Sequence, residues 1–160
     1  TEPLGDEYIG VVRCSPSGGG LYPITLYFVA FNVDGLDRGI YTYLPLTGSI
    51  RLIRRLSDGE LEEYNRISNF GINIENDTLG IAVYYVYSLY DNSRKYGDMA
   101  MQFAYIEAGE IAENIQLAAT AMNLAATDIG GYEKGLTEEF LGVDGLTKHI
   151  LHLTLIGTCK

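Results

Sequence analysis

The sequence predicts an α+β fold in which a sheet packs against helices, one of them long. Several segments rich in β-branched and aromatic residues are bounded by turn residues, as buried strands are. One long stretch, Asp98–Met122, instead repeats its apolar residues at helical spacing. Strands mixed with a dominant helix indicate the α+β class. At 160 residues the chain has the length of one domain, which we assign to residues 1–160.

The predicted elements follow in order along the chain. Strands are expected at Ile24–Phe31, Gly39–Leu44, Ser49–Ile53, Gly80–Tyr87 and Ile150–Ile156. Ser57 is expected to cap a helix that runs to about Ser68, because Glu60 completes a capping box. A short helix is expected at Thr137–Leu141 with Thr137 as its cap. The segment Leu124–Ile129 is expected to be a connection only.

The long helix carries apolar residues on more than one face. One face repeats at spacings of four, three and four residues, at Ile111, Ile115, Ala118 and Met122. Another face carries an alanine at every fourth position, at Ala100, Ala104, Ala108 and Ala112. Small residues at this spacing allow a second helix to approach closely. We therefore predict a central or interfacial helix, with a dimer contact at this alanine ridge.

The charge balance excludes several classes of partner. With 11 basic and 21 acidic residues the net charge is −10, so we expect no nucleic-acid partner and no membrane association. No apolar run approaches the ~18–20 residues that span a bilayer. The two cysteines, Cys14 and Cys159, form neither a disulfide framework nor a zinc site, which favours a cytoplasmic setting. The sequence begins at Thr1 without Met, and we expect it to be part of a longer chain.

A run of three glycines, Gly18–Gly20, lies in the segment between Arg13 and Pro23. Without side chains, the backbone N–H groups of such a run can approach a flat or anionic ligand closely. The segment is not a P-loop, because no Gly-Lys-Ser/Thr follows. It is not a dinucleotide fingerprint either, because it precedes a strand and opens no helix. The alternative interpretation is a flexible surface turn.

Two further segments could carry chemistry. Lys95 and Tyr96 are adjacent between a tyrosine-rich strand and the long helix. An ammonium beside a phenol favours the phenolate, which makes Tyr96 a candidate base. The alternative is that Lys95 is a solvated loop charge and Tyr96 packs. Gly130 and Gly131 permit close approach of a ligand to the backbone, or form only a turn.

Other polar residues indicate no separate site. His149 and His152 are expected on opposite faces of the last strand, which is poor for joint metal binding. Glu107, Glu110 and Glu113 step by three along the long helix, as a solvated face does. We therefore expect no metal site.

Together these motifs resemble the nitroreductase-fold enzymes. Pro16–Pro23, with its Leu-Tyr-Pro ending, resembles the flavin loop of the SagB-type branch, the azoline oxidases of thiazole- and oxazole-forming peptide pathways, including cyanobactin oxidases. Gly39–Tyr43 resembles the Gly-Leu-Tyr-x-Tyr segment of that branch. Lys95-Tyr96-Gly97, followed by Glu107-Ala108-Gly109, resembles its catalytic pair and long helix. The motifs stand in the family's order from about residue 13 to residue 157.

The resemblance implies a nitroreductase-like mixed sheet, bound FMN and a homodimer with two active sites at its interface. In that arrangement the glycine loop reaches the flavin of the partner subunit, while Gly130 and Gly131 contact the subunit's own flavin. Lys95 and Tyr96 are the implied catalytic residues. The implied cofactor-binding residues are Arg13, Ser15, Pro16, Ser17, Gly18, Gly19, Ile129, Gly130 and Gly131. The implied substrate is a heterocyclised precursor peptide whose thiazolines or oxazolines are oxidised.

The sequence departs from the family pattern in two places. The Arg-rich segment that grips the FMN phosphate does not precede the loop, and Glu110 stands where the family helix has histidine. Two other functions stay open. One is an NAD(P)H-dependent nitro- or quinone reductase of the same fold, although the acidic surface suits an anionic cofactor such as NADPH poorly. The other is a flavin-free scaffold that dimerises through the long helix.

Overall fold

A six-stranded sheet forms the centre of the fold, in a computed structural model that describes residues 13–68 and 78–158. The strands are β1 (Ile24–Ala30), β2 (Gly39–Leu44), β3 (Ser49–Arg55), β4 (Leu79–Ser88), β5 (Leu124–Asp128) and β6 (Lys148–Thr158). Their order across the sheet is β3-β2-β1-β4-β6-β5. The α+β class is confirmed. The resemblance implied a mixed sheet, but all described strand pairs are antiparallel. Antiparallel pairing agrees with the short turns that join β1 to β2 and β2 to β3.

Helices cover both faces of this sheet. They are α1 (Asp58–Ser68), α2 (Leu89–Tyr96), α3 (Ala100–Ala121) and α4 (Lys134–Leu141). The predicted capping box of α1 is present: the Ser57 N–H donates to Glu60 Oε2 at 2.8 Å, and the Glu60 N–H donates to Ser57 Oγ at 3.4 Å. Lys95 and Tyr96 lie between β4 and α3 as expected, in the last turn of α2, a short helix that was not predicted. In the described part of the chain no helix is long and apolar enough to cross a membrane.

Side-chain alternation along β4 divides the apolar core into two parts. Tyr84, on one face, belongs to a cluster that includes residues of α1 and the α4 region. Tyr85, on the other face, belongs to a cluster that includes α3. Both tyrosines are fully buried, and their hydroxyls are hydrogen-bonded to Tyr64 at 2.5 Å and to Thr154 at 2.9 Å, respectively. Burial raises the pKa of Tyr84 above its ordinary value and that of Tyr85 to about 12, so both hydroxyls stay protonated.

The alanine ridge of α3 packs inside the chain. Ala104, Ala108 and Ala112 are each 3% exposed or less and share a cluster with Tyr85 and Tyr87 of β4. Small side chains bring the helix close to a sheet face that is crowded with tyrosine rings. The expectation that this ridge forms a dimer contact is therefore wrong, because the chain's own sheet occupies it.

Three expectations about local structure are also corrected. Residues Leu124–Asp128 form the edge strand β5, which pairs with β6, where a connection was expected. Helix α4 begins at Lys134, so Thr137 lies inside it and its hydroxyl donates to the Glu133 carbonyl at 2.9 Å instead of capping the helix. His149 and His152 pack on Tyr87 and Tyr85 at one face, since a bulge shifts the register between them.

Candidate active site

The glycine loop before β1 is a closed turn held by Ser17. Gly18–Gly20 form one 3₁₀ turn, with φ of +65° at Gly19 and +66° at Gly20. The Gly20 N–H donates to the Ser17 carbonyl at 3.0 Å, and the Tyr22 N–H donates to Ser17 Oγ at 2.8 Å. The positive φ values favour glycine at both positions. The sequence Ser-Gly-Gly-Gly thus produces a defined turn, not an unstructured one.

Arg13 contacts Tyr22, which follows the glycine turn. Its main-chain N–H donates to the Tyr22 hydroxyl at 3.0 Å, and its guanidinium lies 4.2 Å from the centre of the Tyr22 ring. Ser15 is half-buried and Pro16 is exposed, and Pro16 lies beside Glu110 of α3 in a shallow depression. In this chain Arg13 therefore supports the loop directly.

The predicted catalytic pair lies against this loop. A Cβ on Gly19 would lie 2.7 Å from Lys95 Nζ and would collide with the Tyr96 hydroxyl. Lys95 Nζ is 5.4 Å from the centre of the Tyr96 ring, and that ring meets Phe103 edge-on at 4.8 Å. The lack of a side chain at Gly19 is what leaves room for the pair. The structure brings together two motifs that are far apart in the sequence.

Glu107 of α3 is the site residue that sequence reasoning missed. It was expected on a solvated face, yet it is 2% exposed, and its Oε2 accepts a hydrogen bond from Ser17 Oγ at 2.5 Å. Burial raises the pKa of Glu107, while the hydrogen bond from Ser17, the nearby main chain of Ile24 and the charge of Arg13 act in the opposite direction. Its position between Ala104 and Ala108 on the buried ridge was the available signal.

Gly130 and Gly131 follow another strand, β5. Ile129 continues β5, and its N–H donates to the Leu153 carbonyl at 3.0 Å. Gly130 and Gly131 follow and are exposed, and a Cβ on either would meet no atom within 4 Å. Strands β4 and β6 separate β5 from β1, which is roughly 14 Å at ordinary strand spacing. Three segments lie toward the same end of the sheet. The glycine loop precedes β1, which begins at that end, whereas the Lys95–Tyr96 pair follows β4 and Gly130 and Gly131 follow β5, which both run toward it.

A groove of about 810 Å³ opens beside the loop and shares Arg13, Cys14 and Ser15 with it. Its apolar lining comes mainly from β1, β2 and α3, through Ile24, Leu26, Tyr43, Ile111, Ile115 and Ala118. Among the described residues, the charged side chains that line it are Arg13, Arg51 and Lys148, all cationic. The groove is thus a positive region in a chain whose net charge is −10. No cluster of His, Cys, Asp or Glu within residues 13–68 and 78–158 could hold a metal ion.

Known proteins share this architecture. Over 128 residues the chain is 29% identical to MJ1384 of Methanocaldococcus jannaschii, provisionally named a nitroreductase, covering 80% of this chain and 63% of MJ1384. The E. coli microcin synthetase McbBCD complex with truncated pro-MccB17 bound has a chain similar at a TM-score of 0.80 and 23% identity, covering 94% of this chain and 57% of that chain. A structure from Anabaena variabilis, provisionally named a nitroreductase, is similar at a TM-score of 0.76 and 25% identity, covering 91% of this chain and 29% of that chain.

The chain therefore spans less than two thirds of the length of each of these proteins. The likeness to the microcin synthetase chain concerns the fold alone. The sequence pattern of the nitroreductase family, in contrast, matches residues 9–158, nearly the whole sequence. The chain belongs to the nitroreductase family.

Proposed function

We propose that this chain is an FMN-dependent oxidoreductase that converts peptide thiazolines or oxazolines to thiazoles or oxazoles during the maturation of ribosomal peptides. The observation that carries the proposal is the contact of Lys95 and Tyr96 with Gly19, because it joins an acid–base pair to a loop of the flavin-binding type. Proteins of the nitroreductase family typically bind flavin. The proposal is compatible with the fold, which is similar to that of a chain in the E. coli microcin synthetase complex with truncated pro-MccB17 bound.

The residues present fit a bound flavin. Gly20, Gly130 and Gly131 are exposed and have no atom within 4 Å of a would-be Cβ, so a flat ring can lie against their backbone. We assign Arg13, Ser15 and Pro16–Gly19 of one subunit, with Ile129, Gly130 and Gly131 of the other, to holding FMN. When bound, FMN supplies a hydride acceptor that molecular oxygen can reoxidise.

Tyr96 and Lys95 supply the proton chemistry in this proposal. Azoline oxidation removes a proton from the ring carbon next to the carbonyl and a hydride from the neighbouring ring carbon. Tyr96, half-buried against Phe103, takes the proton on its hydroxyl oxygen. We assign Lys95 to balancing the negative charge of the reacting groups, since its exposed ammonium lies 5.4 Å from the centre of the Tyr96 ring. The contact with Gly19 fixes where this oxygen points.

The groove beside the loop suits the substrate that this chemistry requires. Its apolar lining fits apolar side chains of a peptide, and Arg13, Arg51 and Lys148 can bind carbonyl or carboxylate oxygens. Because Lys95 and Tyr96 do not line this groove, we assign to it the peptide that flanks the heterocycle, and we place the heterocycle itself beside Tyr96.

A homodimer completes the proposal. With the alanine ridge buried, the opposite side of α3 exposes Ile106 and Leu117 by 57% and 60%, and Met99, just before the helix, is 46% exposed. At 100° per residue, Ile106 and Leu117 lie on one side of the helix. We propose that a second copy covers this stripe, and that the glycine loop of each subunit contacts the flavin held by Gly130 and Gly131 of the other.

Two measurements test the proposed function. A visible spectrum of the purified protein after FMN addition shows flavin bands if the cofactor is retained, and a colourless protein supports the scaffold alternative. Mass spectrometry of a thiazoline peptide then reports a loss of about 2 Da per ring, the two hydrogens removed. A protein that keeps FMN but leaves the peptide mass unchanged contradicts azoline oxidation.

A generic NAD(P)H-dependent nitro- or quinone reductase is the second candidate. The similarity to MJ1384 favours it, and the cationic groove could accept a pyrophosphate. Such an enzyme oxidises NADPH with a nitroaromatic acceptor and does not need Tyr96. Rapid NADPH oxidation that survives Tyr96→Phe, with no change in peptide mass, selects this function.

A further inference from the structure

The buried carboxyl of Glu107 has no role in the chemistry proposed above. Its Oε2 accepts the Ser17 hydroxyl, while its Oε1 has no hydrogen-bond partner among the described residues. A leucine or methionine would fill the same space beside Ala104 and Ala108 without burying a polar atom. Among the described residues, the Ser17 hydroxyl is the side chain that hydrogen-bonds this carboxyl, so we look for the role of Glu107 in that contact.

Ser17 connects Glu107 to the glycine turn through three hydrogen bonds. Its hydroxyl donates to Glu107 and at the same time accepts the Tyr22 N–H, and its carbonyl accepts the Gly20 N–H. Gly19 lies inside that turn and meets Lys95 and Tyr96. A chain of direct contacts thus runs from α3 through the glycine loop to the last turn of α2.

We propose that Glu107 is a positioning residue that holds the Ser17–Gly20 turn in register with Lys95 and Tyr96. Its importance for turnover rests on the proposed function. Its effect on the loop does not, because every contact lies within this chain. Glu107 itself touches neither reacting group.

Hydrogen exchange of the flavin-free protein tests the proposal at the Gly20 and Tyr22 amides. Glu107→Leu removes the acceptor and should speed exchange at both amides roughly 10- to 100-fold, the range for a lost hydrogen bond to a charged group. Glu107→Gln keeps an acceptor oxygen and should restore slow exchange. Glu113→Leu, an exposed carboxylate on the same helix, is the matched control and should leave both rates unchanged.

Ser17→Ala provides the same test from the other side and serves if Glu107→Leu does not fold. It should speed exchange at Tyr22, and adding Glu107→Leu to it should give little further change. Unchanged loop exchange in Glu107→Leu or in Ser17→Ala, with slow exchange kept in β4, overturns the proposal. The two proposals can fail separately. If the wild type oxidises no azoline but Glu107→Leu speeds exchange in the loop, only the proposed function is refuted. If the wild type is active but Glu107→Leu leaves exchange in the loop unchanged, only this inference is refuted.

Discussion

Gly19 and Gly20 have nearly the same backbone but different surroundings. Their φ values are +65° and +66°, so a side chain strains the backbone about equally at each. Only Gly19 lies against Lys95 and Tyr96, whereas a Cβ on Gly20 would meet nothing within 4 Å. The two glycines therefore separate the effect of backbone strain from the effect of displacing the proposed catalytic pair.

Gly19→Ala should lower turnover on the order of 100-fold below Gly20→Ala, because displacing reacting groups by about 1 Å can cost that much. Thermal melting should show similar losses of stability for both variants, since both carry the strain. Steady-state kinetics of the two flavin-loaded variants is the measurement. Equal turnover in the two would mean that the contact between the loop and the pair does not matter for the reaction.

Glu107 should make stability depend on pH in a predictable direction. Burial raises the pKa of this carboxyl above its ordinary value of 4.5. A carboxyl whose pKa is higher in the folded state binds protons more tightly there, so its contribution to stability falls as pH rises past 4.5. The Glu107→Gln variant has no carboxyl at this position and does not ionise there. The melting temperature of this variant should therefore rise relative to that of the wild type between about pH 4 and pH 7. A difference that stays constant with pH would contradict the assignment.

Among the elements, α3 carries most of the organisation of the site. Its alanine face lies on the sheet, Phe103 supports Tyr96, and Glu107 holds Ser17. The same close approach of the helix to the tyrosines of β4 that buries the alanines also buries Glu107. Packing of the helix and geometry of the site are thus linked.

Ala104→Leu should destabilise the fold by roughly 1–3 kcal/mol, because Ala104 is fully buried and added methyl groups overpack a filled core. Urea unfolding followed by circular dichroism measures the loss. Ala121→Leu, exposed at the end of the same helix, should change the free energy of unfolding by no more than about 0.5 kcal/mol. Equal, small effects at both positions would show that the helix does not pack on the sheet as described.

Most strands and helices could be predicted from local sequence, and the errors have physical causes. Strong strands such as β1 and β4 combine β-branched and aromatic residues, and the capping box marks where α1 begins. Strand β5 consists of Leu-Ala-Ala-Thr-Asp, which has weak strand propensity and is stabilised by pairing with β6. The alanine ridge fits a helix partner or a sheet partner equally well by spacing alone.

The candidate site was predicted residue by residue but not as an assembly. The sequence indicated Lys95, Tyr96 and the glycine loop as separate motifs. That Gly19 touches the pair depends on how β1 and β4 align, with Ile24 opposite Tyr87. Glu107 looked solvated because three glutamates at spacing three also describe a polar face. Only the packing of α3 shows that the first of them is buried.

At the scale of the molecule, the exposed stripe on α3 predicts the oligomeric state. Light scattering should give a dimer, and Leu117→Glu should shift it to monomer, since a carboxylate would be buried at the interface. Leu46→Glu, which is 74% exposed in the turn between β2 and β3, should remain dimeric. A wild-type monomer at micromolar concentration would contradict both the dimer and the sharing of the flavin loop between subunits.

An anaerobic single turnover tests the central claim most directly. FMN-loaded protein is mixed with a thiazoline peptide, and flavin absorbance and peptide mass are followed together. We predict that the flavin bleaches as the peptide loses about 2 Da per ring. Tyr96→Phe and Lys95→Ala, with FMN bound, should each react on the order of 10²–10⁴ times more slowly, and the double variant should be little slower than either. Rates near wild type in both flavin-loaded variants would contradict the claim that Lys95 and Tyr96 carry the proton chemistry.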